Sequence, residues 1–293
     1  MHRALARLTL IALVATATGG SLAAWQWPLS AFDIEVSFGA PTGTGVSPGL
    51  DLVSESGPVL PADDGEVIFA VDAARGAGGI PHGLGSFVVI EHDGGFRSLY
   101  AHLDRSGTPG QSGVSAGDAL GEVGRTGFSG GNTLGFRIID AERGAYVNPM
   151  ILLPELEDGT APAIVDATLF RGNRSFPVRT GVSLPVGPAE LTARVFDPAA
   201  DGPYRSEATP RSVVVFVNGQ EVFSLVMETL EGADGEVRFA GAQDAASVYT
   251  DDGLLRLGRV DIGPGNNLIE IIAEDHAGNE RVVSFRVAGE SAQ

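Results

Sequence analysis

Two side chains in the first half of the chain are of the kinds that metal-binding and hydrolytic sites use. Asp51 ends the run Gly49-Leu50-Asp51, and His102 lies within Tyr100-Ala101-His102-Leu103. A carboxylate and an imidazole can hold a metal ion or transfer a proton. A catalytic zinc ion needs about three protein ligands of the His, Asp or Glu type, plus an open position for water. Asp51 and His102 alone are too few for such a site.

A third signal, residues 124–136, completes a recognisable frame around these two side chains. It contains Gly124-Arg125-Thr126-Gly127 and ends in Thr133-Leu134-Gly135-Phe136. The order and spacing of the three signals resemble those of the M23 (LytM or lysostaphin-type) metalloendopeptidases over roughly residues 34–153. Further pieces of the family frame are Ser37-Phe38-Gly39, the turn Asp64-Gly65 and the closing Val147-Asn148-Pro149. The resemblance implies a core of antiparallel β-sheet.

The resemblance also implies where zinc would bind, and most of those ligands are missing. In the family, zinc is held by a His four residues before an Asp, by that Asp, and by the second His of a His-x-His pair. Asp51 is the Asp, but Ser47 stands in place of the first His, and Thr133 and Gly135 stand in place of the pair. The family's further catalytic His is retained as His102. Asp51 and His102 are therefore interpreted as vestigial.

The replaced residues argue against catalysis on chemical grounds. Ser47 and Thr133 offer neutral hydroxyls, which are poor zinc ligands, and Gly135 has no side chain. Without the metal, the pKa of a water nucleophile stays near 15.7 instead of falling to about 7. We therefore expect no resident cofactor, and zinc only under the alternative that the chain is an active enzyme.

The same positions predict a retained binding groove. Its predicted members are Ser47, Asp51, His82, His102, Thr133 and Gly135, with His82 contributed by a Gly-rich loop. Other interpretations stay open for some of these side chains. His82 could be an ordinary surface residue, as could His92, which is expected to point away beside a turn. Asp51 could cap a turn and His102 could donate to a carbonyl, so that both would be kept for structure.

Short strands joined by turns must position these residues. Gly is abundant, with 41 residues, and helix-length periodic runs are scarce, which favours an all-β fold. The pairs Asp93-Gly94 and Asn218-Gly219, each between strand patterns, predict two β-hairpins. We predict an M23-like β-sheet core domain over residues 25–158 and an Ig-like β-sandwich over residues 159–293.

The C-terminal block resembles bacterial immunoglobulin-like domains in a general way. The resemblance rests on alternating strands and on the turn Asp275-His276-Ala277-Gly278-Asn279. Five of its acidic residues are candidate calcium ligands: Asp197, Asp201, Asp251, Asp252 and Asp275. They lack the spacing of a known calcium loop, so the favoured interpretation is that they are acidic turn residues.

The N-terminus and the charge bear on location and partners. Residues 1–24 have the pattern of an export signal, with Arg3 and Arg7 before an apolar run and small residues at Ser21–Ala24. An uncleaved anchor is the alternative, and it would be the chain's contact with a membrane. A net charge of −18 disfavours nucleic acid, and the absence of Cys excludes disulfides. An extracytoplasmic location in the periplasm or cell envelope is expected.

Three functions are consistent with these features. The favoured one is a catalytically inactive M23-like protein of the cell envelope that binds peptidoglycan or regulates or scaffolds cell-wall hydrolases. The alternative is an active zinc metalloendopeptidase that cleaves peptidoglycan cross-links. In a third, both domains are β-rich structural modules without a ligand.

Overall fold

The computed structural model describes residues 25–43, 45–73, 83–104, 113–179, 181–198, 204–233, 236–239 and 244–291. Nearly every regular element there is a β-strand, as the sequence predicts. The exceptions are 3-10 turns at Asp93–Gly95 and Pro149–Ile151. No helix in these residues is long and apolar enough to cross a membrane. The predicted export signal, residues 1–24, lies outside the described residues.

Strands of the first half carry the candidate site. They are β1 Asp33–Val36, β2 Pro41–Thr42, β3 Gly45–Val46, β4 Leu50–Val53, β5 Pro58–Val59, β6 Gly65–Val71, β7 Ser86–Glu91, β8 Phe96–Leu103, β9 Gly113–Val114, β10 Gly121–Glu122, β11 Thr133–Asp140 and β12 Ala145–Val147. The central order is β12-β11-β8-β7-β6-β9, and β4 pairs with β1 and β11. Every pair in this sheet is antiparallel.

The two faces of this sheet differ in burial. Leu52 pairs with Leu134, and Phe136 pairs with Tyr100; all four are at most 1% exposed and form the core. Their neighbours in sequence point to the opposite side, since strand side chains alternate. That side carries half-buried residues, and we call it the open face: Asp51, Phe87, Val89, Leu99 and Arg137.

The C-terminal half forms two further sheets. Its strands are β13 Ala163–Arg171, β14 Arg174–Pro177, β15 Val182–Pro185, β16 Gly187–Phe196, β17 Ser212–Val217, β18 Gln220–Val226, β19 Thr229–Ala233, β20 Glu236–Phe239, β21 Leu255–Ile262, β22 Gly265–Glu274 and β23 Glu280–Glu290. One sheet has the order β14-β13-β16-β21 and the other β15-β23-β22-β17-β18. They meet closely where a Cβ on Gly258 of β21 would lie 3.1 Å from the Phe223 ring of β18.

Both predicted hairpins are present. β7 and β8 pair across Asp93-Gly94, and β17 and β18 pair across Asn218-Gly219. Asn218 and Gly219 have φ values of 53° and 82°, as a type I′ turn requires. The predicted antiparallel sandwich is wrong at one strand, because β15 pairs with β23 in parallel. Parallel partners need a long connection, so local turn signals do not reveal them.

The structure adds a connection across the predicted boundary at residue 158. The hairpin β19–β20 extends the first sheet, because Leu230 of β19 pairs with Tyr146 of β12. Gly39 lies against the same segment, since a Cβ there would lie 3.1 Å from Met227 Sδ and 3.3 Å from the Phe239 ring. The two halves of the chain therefore share one continuous sheet.

Candidate functional site

Strands β4 and β11 bring three of the predicted site residues to one face. Asp51 pairs with Gly135, Thr133 pairs with Val53, and Gly135 also pairs with Ala101 of β8. Directly paired residues share a face of the sheet. Asp51, Thr133 and Gly135 therefore lie on the same side, and Asp51 belongs to the open face.

A β-bulge turns His102 onto this side. Between the pairs Ser86–Leu103 and Val88–Tyr100, β8 has one residue more than β7, and His102 has a φ of 67°. Bulges re-aim side chains in this way. The imidazole lies over Gly135, where a Cβ would be 3.3 Å from its Nε2. Gly135 thus provides the space that the His102 ring occupies.

Two hydrogen bonds hold His102 in this unusual backbone conformation. Its backbone N–H donates to the Leu84 carbonyl at 2.8 Å, and Nδ1 is 2.9 Å from the Thr126 carbonyl oxygen. Because a carbonyl only accepts, Nδ1 carries the hydrogen, and Nε2 of the neutral ring is left as an acceptor beside Gly135. The predicted structural interpretation of His102, a donor to a carbonyl, is confirmed.

The glycine-rich run sets the position of Thr126. The Thr126 hydroxyl donates to the Leu103 carbonyl at 2.7 Å and accepts from the Ser86 N–H at 2.8 Å. Gly127 follows with a φ of 73°, and its Cα lies so close to the backbone of residues 83–85 that a side chain would collide. This run therefore packs directly against the bulge that carries His102.

Asp51 does not have the capping role that the sequence left open. In the described part of the chain, no hydrogen bond or ion pair to its carboxylate is formed. Burial raises the pKa of Asp51, while the charges of Arg137 and His102 lower it and Glu35 raises it further. A half-buried carboxylate without a hydrogen-bond donor is available for a ligand.

The other residues in this frame do not form a zinc site. Ser47 is buried, and its hydroxyl donates to the Gly49 carbonyl at 3.0 Å, within its own turn. Gly135 offers no donor atom, and Thr133 is buried with a neutral hydroxyl. Within the described residues, no third His, Asp or Glu joins Asp51 and His102 as a ligand group. The donor set is one carboxylate and one imidazole, which does not fit zinc.

Of the two histidines His82 and His92, the structure describes only His92. His82 lies outside the described residues. His92, considered as a surface residue, is instead 5% exposed. Its Nδ1 donates to the Asp64 carbonyl at 2.8 Å, and its Nε2 is 2.6 Å from Ser98 Oγ. The surface interpretation is wrong because β8 brings a hydroxyl beneath the turn, which local sequence does not show.

Sequence reasoning missed the aromatic part of this region. Phe69 is 55% exposed, and its ring lies 5.6 Å from that of Phe87 on the open face. Phe128 is 81% exposed, in the run that packs against His102. The sequence of Ser86–Glu91 did carry a signal for it. A strand with one face in water normally alternates apolar and polar residues, but here consecutive residues are apolar, which indicates apolar side chains on both faces.

Comparisons with known proteins agree with this geometry. Residues 45–149 match the family model of peptidase family M23, and a second family model without a description matches residues 161–289. Residues 45–149 are therefore similar to an M23 peptidase domain, and we call them the M23-type domain.

Relatives of this part of the chain include named proteins. The chain is 34% identical over 141 residues to the murein hydrolase activator NlpD of Salmonella dublin, covering 48% of this chain and 34% of that protein. It is 33% identical over 136 residues to the cell division protein DipM of Caulobacter vibrioides, covering 44% and 21%. The chain thus spans about a third or less of these relatives.

Among solved structures, the catalytic domain of lysostaphin from Staphylococcus simulans is similar. It has 25% identity and a TM-score of 0.35, covering 41% of this chain and 90% of that one.

Proposed function

We propose that the chain is a non-catalytic component of the cell envelope whose M23-type domain regulates a cell-wall hydrolase. One observation carries the proposal. The residues at the zinc positions are Ser47, bonded within its own turn, and Gly135, covered by an imidazole, while Asp51 and His102 keep exact places in the frame. NlpD is named a murein hydrolase activator, which supports a regulatory role.

The open face would supply the contact. Asp51 presents a carboxylate and His102 an Nε2 acceptor, so together they suit a ligand that offers N–H or ammonium donors. Phe128 and the pair of Phe69 and Phe87 add apolar area on the same side or beside it. A loop of a wall hydrolase and a peptide stem of peptidoglycan both offer such groups, and we propose the hydrolase as the partner.

An assay of hydrolase activity tests the proposal. Release of soluble fragments from purified peptidoglycan by a cell-wall hydrolase should increase when the full chain is added. Asp51→Asn and Phe128→Ala should each reduce this stimulation about tenfold, the effect of losing roughly 1.4 kcal/mol of binding. Asp93→Asn makes the same chemical change at an exposed turn and should stimulate fully.

Two results would count against this function. If Asp51→Asn, Phe128→Ala and Asp93→Asn all stimulate the hydrolase equally, the open face does not contact the hydrolase. Strong sedimentation of the chain with peptidoglycan, without any effect on a hydrolase, would replace the hydrolase by peptidoglycan as its partner. With either partner we propose an extracytoplasmic location, with contact to a membrane through residues 1–24 if that segment stays uncleaved.

A further inference from the structure

Three carboxylates come together where the linker reaches the C-terminal sandwich. Asp158 lies in the linker, Asp197 follows β16, and Asp275 follows β22. One carboxylate oxygen of each residue lies within 4.8 Å of one oxygen of each of the other two. Asp197 and Asp275 are 2% and 1% exposed, and Asp158 is half-buried. The cluster therefore joins one strand end from each sheet to the linker.

One carboxylate oxygen in this cluster has no partner. Within the described residues, Asp197 Oδ1 is buried and forms no hydrogen bond. A buried, unpaired carboxylate oxygen is costly to desolvate, and such groups are normally paired or bound to a metal. This atom points to a missing positive group rather than to an acidic turn residue.

The surroundings concentrate negative charge. The charged neighbours of Asp197 are Asp158 and Asp275, and both are negative. No positive side chain is among the described groups that act on it. Arg211, on the neighbouring surface, is paired with Glu228 and Glu274. A divalent cation would balance carboxylates that no protein cation neutralises.

The remaining oxygens are already oriented. Asp275 accepts from the Asn279 backbone N–H at 2.8 Å and from its side-chain amide at 2.9 Å. The same amide donates to the Asp158 carbonyl at 3.1 Å, and Asp158 Oδ1 accepts from the Thr160 N–H at 2.8 Å. Asp158 also lines a cleft with Tyr204 and His276, which gives an ion a route from solvent.

We propose that Asp158, Asp197 and Asp275 form a calcium site that fastens the linker to both sheets of the sandwich. Hard cations take oxygen ligands, and no His or Cys belongs to this described group. Three carboxylates offer up to six oxygens, which suits the six to eight ligands of calcium. Magnesium usually binds through one or two carboxylates.

Calorimetry and thermal melting of the full chain test this site. After removal of metal with a chelator, calcium chloride should bind at one ion per chain, with a Kd no weaker than about 1 mM, as in extracellular modules. Calcium should raise the melting temperature, because it binds the folded state. Asp197→Asn should weaken binding about tenfold or more, since affinity follows the number of charged ligands.

Asp251→Asn is the matched control, because it removes an exposed carboxylate of the same domain and should bind calcium normally. The metal-free Asp197→Asn chain should melt no lower than the metal-free wild type, because like charges no longer oppose one another. Asp158→Asn, at the half-buried ligand, provides a second variant if Asp197→Asn does not fold. The proposal is overturned if about 10 mM calcium gives no saturable binding, if Asp197→Asn binds unchanged, or if magnesium binds equally well.

Discussion

At the residue scale, the site combines features that cost stability with features that hold it in place. Asp51 is half-buried without a hydrogen-bond donor in the described chain, and His102 has a left-handed backbone conformation. Strained backbone conformations persist where surrounding contacts hold them. Here the hydrogen bonds of His102 to the Leu84 and Thr126 carbonyls do so. These two features are consistent with a binding role for Asp51, while the bonds of His102 also serve the local structure.

Asp51→Asn should make the domain more stable at neutral pH. Burial raises the pKa of Asp51 in the folded state, so the folded chain binds this proton more tightly than the unfolded chain. The stability of the wild type therefore contains a term that falls as pH rises from the unfolded value of 3.8 through the raised folded value. Urea denaturation between pH 4 and 7 should show a steeper fall in the wild type than in Asp51→Asn, because the buried Asp197 contributes a similar fall to both chains. An identical pH dependence in both chains would contradict the assignment.

Gly135→Ala should destabilise the domain by about 1–3 kcal/mol, as overpacking does. The added methyl group would lie 3.1 Å from His102 Cδ2. The cost should shrink in a chain that also carries His102→Ala, because the imidazole is then absent. A double-mutant cycle of unfolding free energies measures this coupling, and additive effects would show that the ring does not lie over Gly135.

At the element scale, β7 and β8 are joined beneath the open face by a buried polar chain. His92 is bonded to the Asp64 carbonyl and to Ser98, Ser98 is 2.9 Å from the Tyr100 hydroxyl, and that hydroxyl accepts from the Ala62 N–H at 2.7 Å. These contacts fix the register of β8, and with it the location of the bulge at His102. Burial raises the pKa of Tyr100 far above its ordinary value.

Tyr100→Phe should cost about 1–3 kcal/mol, because it leaves the Ala62 N–H without a partner and leaves Ser98 bonded only to His92. Chemical denaturation measures the change. Tyr146→Phe is the control on β12, where the side chain is 38% exposed, and should change stability by less than about 0.5 kcal/mol. Equal effects at the two positions would contradict the buried network.

Local sequence signals predicted the strands and hairpins well, but they did not predict contacts between residues distant in the chain. Turn pairs and alternating residues were enough for the two hairpins, because their partners are neighbours in sequence. The family resemblance grouped Asp51 and Gly135 in one predicted groove, and the structure then pairs them across β4 and β11. The sequence did not show that His92 is buried against the Asp64 carbonyl, or that Asp158, Asp197 and Asp275 meet, because those contacts join residues far apart in the chain.

At the scale of the whole molecule, a shared β-sheet and hydrogen bonds join the two halves in addition to the linker. The β19–β20 hairpin continues the M23-type sheet, and Asn148 donates to the Met227 carbonyl at 2.8 Å. Thr209 also donates to the Phe38 carbonyl at 2.6 Å. The C-terminal half therefore supports the sheet that carries the candidate site.

A chain ending at residue 158 should be less stable and more prone to aggregate than the full chain. It lacks β19, which leaves the edge of β12 unpaired, and exposed edge strands pair with other chains. Light scattering and thermal melting of both chains compare these properties. If the shortened chain stays monomeric and melts at the same temperature, the shared sheet contributes nothing to stability.

The most direct test of the central claim is the release of soluble fragments from purified peptidoglycan by the chain alone, with zinc added, and by a cell-wall hydrolase with and without the chain. The account predicts no release by the chain alone and faster release by the hydrolase in its presence. Release by the chain alone that a chelator abolishes would contradict it, and would make the chain a zinc metalloendopeptidase despite Ser47 and Gly135.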